Sequence, residues 1–216
     1  MPNPTETTHE PERRFLSLSD MELRVEERED GAGLLTGYPI VYHQLSVQMF
    51  GFREQVQPGA FDDSLRDDDI LALINHDRNH VLGRTASKTA RLSSDEKGVR
   101  MEVDLPDRQD ARDLVVSLGR RDISGGSFSF RVLPGGDDWA EDGDGVLIRT
   151  IKSGKLFDVG PVASPAYPDT NGTMSARSAE DALRSLEEWR ASQDAARNSW
   201  RASSALRERL LQIGAA

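Results

Sequence analysis

Apolar and polar residues alternate along most of the first two thirds of the chain, at the period of half-buried strands. Segments 21–25 ("MELRV"), 34–42 ("LLTGYPIVY"), 50–56 ("FGFREQV"), 89–92, 99–105 ("VRMEVDL"), 127–133, 146–151 and 156–163 ("LFDVGPVA") all read as strands. Segment 70–74, "ILALI", is short and continuously apolar, which predicts a buried strand. Pro39 predicts an edge position or a bulge in its strand. Residues 61–65 suggest one helical turn. The period changes at Ala111, Leu114, Val115 and Leu118, spaced i, i+3, i+4, i+7. Asp107 as N-cap, Asp110 in the first turn and Gly119 at the stop complete the helix signature. The acidic, Gly-rich stretch 134–145 reads as a loop.

These patterns divide the chain into three parts. Residues 1–14, rich in Pro, Thr and Glu, read as disordered. Residues 15–174 form the body. Residues 175–216 form a helical tail, in which Ala179, Leu183, Leu186 and Trp189 share a face and Ser178 with Asp181 resembles a capping box. Leu206, Leu210 and Ile213 suggest a second short helix there. Many short strands around one helix predict an α+β domain, a mainly antiparallel β-barrel with one central helix.

Charge and composition narrow the classes. The net charge of −10 argues against a duplex-binding surface, so nucleic acid is not an expected partner. The chain has no cysteine, which removes disulfide scaffolds, thiolate metal sites and cysteine nucleophiles. The N-terminus lacks the apolar core of a secretory signal, and no apolar run approaches the roughly 18–20 residues of a membrane helix. A soluble cytoplasmic protein without a membrane partner is expected.

Candidate chemistry lies in two places. His76 and His80 stand in "NHDRNH", directly after the buried "ILALI" run, where a side chain is held rigidly yet faces a cleft. Their i, i+4 spacing resembles the zinc-protease helix, with Asp where that motif has Glu. Asn75, Asp77 and Asn79 make a poor helix centre, and no third ligand is apparent. The other reading makes His76 a general base for a serine. His9 and His43 read as surface residues. The serines are in "RDISGGSFSFRV" (121–132). Strand alternation puts Phe128 and Phe130 on a core face and Ser127 and Ser129 on the other. Gly125 and Gly126 allow close backbone approach, as an oxyanion site requires. Ser124 reads as a turn hydroxyl. The stretch is not a nucleophile elbow, because Ser129 stands where that motif has its last glycine.

From about Leu23 to Thr170 the chain resembles the prohead serine proteases of tailed bacteriophages, a family related in fold to the herpesvirus assemblins. The resemblance is carried by "GYPIVYHQ", "QPGAF", "LINHDRNHVLGRT", "SLGRRDISGGSFSF" and "LFDVGPVASPAYPDT", in that order. It implies His76 as the base, Ser127 as the nucleophile and Asp158 as the third member of a triad, with no cofactor and no metal. The family usually has Glu at the acid and often Gly at the position of Ser129, which makes Ser129 the second candidate nucleophile. Arg120 and Arg121 read as helix C-terminal charges rather than catalytic groups. The implied substrates are the scaffold, the scaffold-like segment of the major capsid protein, and the protease itself. The implied place is the assembling prohead in the bacterial cytoplasm, and the resemblance leaves room for a homo-oligomer. Two competing expectations are a non-catalytic assembly or scaffold protein and a zinc hydrolase using His76 and His80.

Overall fold

The computed structural model describes residues 11–26, 33–163 and 176–214. The chain divides between Ala179 and Glu180 into two compact units. Along the described residues the elements are β1 (Glu12–Ser17), α1 (Leu18–Met21), β2 (Arg24–Glu26), β3 (Leu34–Val41), β4 (Phe52–Val56), α2 (Asp62–Asp67), β5 (Leu71–Leu73) and β6 (Val81–Arg84). They continue with β7 (Ala90–Ser94), β8 (Gly98–Asp104), α3 (Gln109–Arg120), β9 (Gly125–Val132), β10 (Asp137–Glu141), β11 (Leu147–Ile151), β12 (Gly154–Val162) and α4 (Ala176–Gly214).

The fold is α+β and mostly strand. Its strands pair into three sheets, in the orders β1-β9-β12-β5-β6, β10-β11-β4 and β2-β3-β8-β7. Of the expected mainly antiparallel barrel, no closed form is found among the described strands. Alternation reports that one face of a strand is buried; it carries no information about which strands join. Two ladders, β4–β11 and β5–β12, are parallel. Both sheets that carry the long strands feed one core: Leu35, Ile40, Val99 and Met101 from one, Ala72, Phe128, Phe130, Leu156 and Val159 from the other. The bulge expected at Pro39 is present, as a register shift between Gly37 and Ile40.

Helix α3 buries Ala111 and Leu114 and packs Val115 and Leu118 against the core, while Val116 on its other side is exposed. Its ends differ from expectation. The N-cap is Arg108, without a side-chain cap, and Asp107 pairs with Arg112 instead. The helix runs past Gly119, and Arg121 takes the left-handed conformation (φ 65°) that closes it.

Four segments correct the sequence reading. Residues 12–14, expected to be disordered, form the start of β1, because Glu12 and Arg14 find buried partners. Within 134–145, Asp137–Glu141 is a strand, held by Trp139 edge-on against Phe52 at 4.9 Å. Segment 21–25 is the end of α1 followed by β2, not one strand. The tail is one helix rather than two; no Gly or Pro interrupts it before Gly214, and Asp194 pairs with Arg197 at i, i+3. Residues 1–10, the Pro-rich stretch 164–170 and the 174/175 boundary lie outside the described residues, as do the side chains of Ser178, Leu206, Leu210 and Ile213.

Candidate active site

Core packing fixes the strand that carries the serines. Phe128 stacks on Phe130 at 5.2 Å, and both meet Phe61 edge-on, at 6.3 and 5.7 Å. With those rings anchored, Ser127 and Ser129 face the other side of β9. In the β9–β12 ladder Ser127 lies opposite Gly160 and Ser129 opposite Asp158. On the other flank Phe15 of β1 lies opposite Ser127, and Arg13 opposite Ser129. Directly paired residues share a face, so Ser127, Asp158 and Phe15 come together on one surface of the sheet.

His76 reaches that surface from the turn after β5. Asn75 and His76 both adopt left-handed backbone conformations (φ 52° and 58°), which reverse the chain immediately beyond the strand. The turn closes through hydrogen bonds from Asp77 N–H to the Ile74 carbonyl (2.9 Å) and from His80 N–H to the Asp77 carbonyl (2.9 Å). The imidazole lies between the two other groups. Its Nε2 is 2.6 Å from Ser127 Oγ, and its Nδ1 is in short contact with Asp158 Oδ1. The register of β12 shifts between Leu156 and Asp158, and such a bulge re-aims the side chain beside it. Serine, imidazole and carboxylate are therefore in line, each within hydrogen-bond reach of the next.

The cluster is buried. Ser127 is 0 % exposed and Asp158 7 %, and the His76 side chain is 6 % exposed. Hydrogen bonds in such a medium are stronger than in water. Phe15 stands edge-on to the His76 ring at 6.4 Å, on the strand that flanks Ser127. Its place beside the site was not visible in the sequence, because it opens the body directly after the polar segment 1–14 and no strand was read there. The same strand is fastened by a buried ionic network. Arg14 contacts Glu54 (2.5 Å) and Glu12 (2.6 Å), and Arg149 contacts Glu12 and Glu54 (both 3.1 Å) and Asp137 (2.7 Å). Burial pushes the Glu54 carboxyl up, but the Arg14 and Arg149 guanidinium groups outweigh it and hold it below its ordinary value.

A chain carrying this arrangement matches the family model described as "Caudovirus prohead serine protease" over residues 19–185. The chain belongs to that family. No curated protein sequence matches it. A solved structure, "Structure of the bacteriophage T4 capsid assembly protease, gp21", is similar over 71% of this chain and 98% of that one, with 11% identity and a TM-score of 0.43.

In this prohead-protease family member the remaining candidates fall elsewhere. His80 is half exposed, beside Asp110 (3.4 Å) and Asp77 (4.0 Å). The His76–His80 segment is a turn, so the spacing does not put two imidazoles on one helical face. Among the described residues no three His, Cys, Asp or Glu side chains converge as metal ligands. Hydrogen bonds from the Asn79 backbone and side chain hold the Asp77 carboxyl below its ordinary value. His43 is exposed at φ 58°, and His9 lies outside the described residues. Arg120 pairs with Asp122 on the surface (2.6 Å). Ser124 Oγ donates to the Ala163 carbonyl (3.2 Å). Gly126 also leaves room for a neighbour. A Cβ there would sit 1.6 Å from Met21 Sδ, so its bareness makes room for the fully buried Met21. No described helix is long and apolar enough to cross a membrane.

Proposed function

We propose that this chain is a serine endopeptidase of prohead maturation, with Ser127 as nucleophile, His76 as base and Asp158 as the acid that orients it. The observation that carries the reading is the His76 imidazole held between Ser127 Oγ and Asp158 Oδ1. Ser127 O–H donates to Nε2, and Nδ1–H donates to the carboxylate. As Oγ attacks the scissile carbonyl, Nε2 takes its proton, and Asp158 stabilises the imidazolium. The proton passes to the leaving amine, the peptide C–N bond breaks and an acyl-enzyme remains. Water then attacks the ester, gives its proton to Nε2 and releases the new carboxylate with Ser127 restored. Ser129 is displaced as candidate nucleophile because it faces Asp158 in the ladder, whereas Ser127 has the imidazole.

The family supports capsid-assembly proteins as the substrate class. The scaffold, the scaffold-like segment of the major capsid protein and the protease's own termini are the proposed substrates, cut inside the assembling prohead of the infected cell. All three groups of the proposed triad come from one chain. An assemblin-like barrel, with α3 central to it, is the parent architecture we infer for the three sheets. The competing reading is an assembly protein without turnover, favoured by the complete burial of Ser127.

The test is co-expression of wild-type and Ser127→Ala chains with the scaffold and major capsid protein. Processing by wild type and none by the variant is the expected result. Equal processing would overturn the nucleophile, and none by either would favour the assembly role.

A further inference from the structure

The three groups of the site arrive on three different segments: the turn after β5, strand β9 and strand β12. Their alignment needs those segments fastened to one another, and a ladder fastens β12 to each of the other two. The β5–β12 ladder is short, with only the pairs Leu71–Asp158 and Val159–Ala72. Beyond it lies the turn that bears His76. Without a further tie, an imidazole at the tip of a left-handed turn would sample more than one position.

The tie is made by Asn75. Its N–H donates to the Pro161 carbonyl (3.0 Å), and its Oδ1 accepts from Ala163 N–H (2.8 Å). The same Ala163 accepts a hydrogen bond at its carbonyl from Ser124 Oγ (3.2 Å). Ala163 follows β12, and Ser124 immediately precedes β9. One peptide backbone is thus gripped from both sides, by the residue before His76 and by the residue leading into the nucleophile strand. Asparagine also suits the left-handed backbone at this position better than other residues with a Cβ, apart from Asp.

We infer that Asn75 is a positioning residue for His76, acting with Ser124 through the Ala163 backbone to hold the imidazole in line with Ser127. The inference rests on the serine-protease reading above. Neither side chain touches the reacting atoms; each acts on where the base stands. A base displaced by a fraction of an ångström weakens the reaction without altering substrate binding.

The test separates position from fold. Asn75→Gly keeps the left-handed backbone and deletes the amide; Ser124→Ala deletes the other grip. Purified full-length chains are titrated with a fluorophosphonate to count active sites, and hydrolysis of p-nitrophenyl acetate is followed per titrated site. Asn75→Gly is expected to lower kcat about 10-fold with KM unchanged. Ser124→Ala is expected to lower it less, and the double variant to fall short of the product of the two effects, because both act on the backbone of one residue, Ala163. Unchanged kcat per titrated site, or a loss confined to the number of folded sites, would overturn the inference. A Ser127→Ala chain run alongside keeps the two readings apart. If it still labels and hydrolyses at the wild-type rate, the serine-protease reading fails. If it is silent while Asn75→Gly matches wild type, only the positioning role fails.

Discussion

Gly160 lies opposite Ser127 in the β9–β12 ladder, and a Cβ at Gly160 would stand 1.9 Å from the Leu73 carbonyl oxygen. The strand that leads to His76 therefore packs on bare backbone beside Ser127. Gly160→Ala must push β5 away and carry the His76 turn with it, since the atom it meets is main chain and has no rotamer to change. The expected outcome is a folded protein whose fluorophosphonate labelling at Ser127 falls at least 10-fold. A folded variant that labels at the wild-type rate would show that β5 has slack the packing does not suggest.

In the proposed triad Asp158 contributes charge and direction at once. Asp158→Asn keeps the shape but presents either an amide N–H or a neutral oxygen to Nδ1, so the tautomer that leaves Nε2 free to accept is no longer favoured. Loss of about 10³–10⁴-fold in kcat is expected, by the general behaviour of such triads. Thermal melts of the variant and wild type, run beside the kinetics, check that the fold is retained.

Phe15 flanks both Ser127 and His76, and Ser127 has no exposed surface. A scissile peptide can reach Oγ only if part of its cover yields, and Phe15 is a ring beside both groups. Phe15→Ala, which removes the ring and leaves β1 in register, is expected to speed labelling of Ser127 several-fold by opening that side. Slower labelling would mean that the ring supports the imidazole more than it screens the serine.

The network that fastens β1 makes stability depend on acid. Burial raises the Glu54 carboxyl, and the guanidinium groups of Arg14 and Arg149 more than reverse it, so its folded value lies below the ordinary one. A depressed carboxylate contributes stability that is complete above the unfolded value and lost as pH falls through the folded value. Denaturation midpoints measured from neutral pH downward should therefore drop below the ordinary carboxylate range, and Glu54→Gln should flatten that limb. Arg14→Ala leaves two buried carboxylates short of a partner and is expected to cost about 3–5 kcal/mol at neutral pH.

What the sequence disclosed depended on whether the signal was local. The strand period located β5, β8, β9, β11 and β12 closely, because each of these strands buries one face or both against the core. It also separated Ser127 and Ser129 from the phenylalanines. The charged strand β1 escaped, since Glu12 and Arg14 are buried only by virtue of Glu54 and Arg149, far along the chain. Trp139 was read within an acidic loop for the same reason: its partner, Phe52, is remote. Gly126 and Gly160 were legible as glycines but not as the spaces filled by Met21 and the Leu73 carbonyl. The grouping of His76, Ser127 and Asp158 came from family resemblance, and no period or spacing in this chain would have produced it.

Strand β12 sits between β9 and β5, which do not touch each other in the sheet. Among the described strands it is also the last to leave the ribosome. Until Gly154–Val162 has been made and inserted, the serine and the histidine have no common support, and the acid does not exist. On the triad proposed above, a nascent or truncated chain is thus inert by construction. A protease built on that triad would acquire its cutting edge only once its own folding is finished.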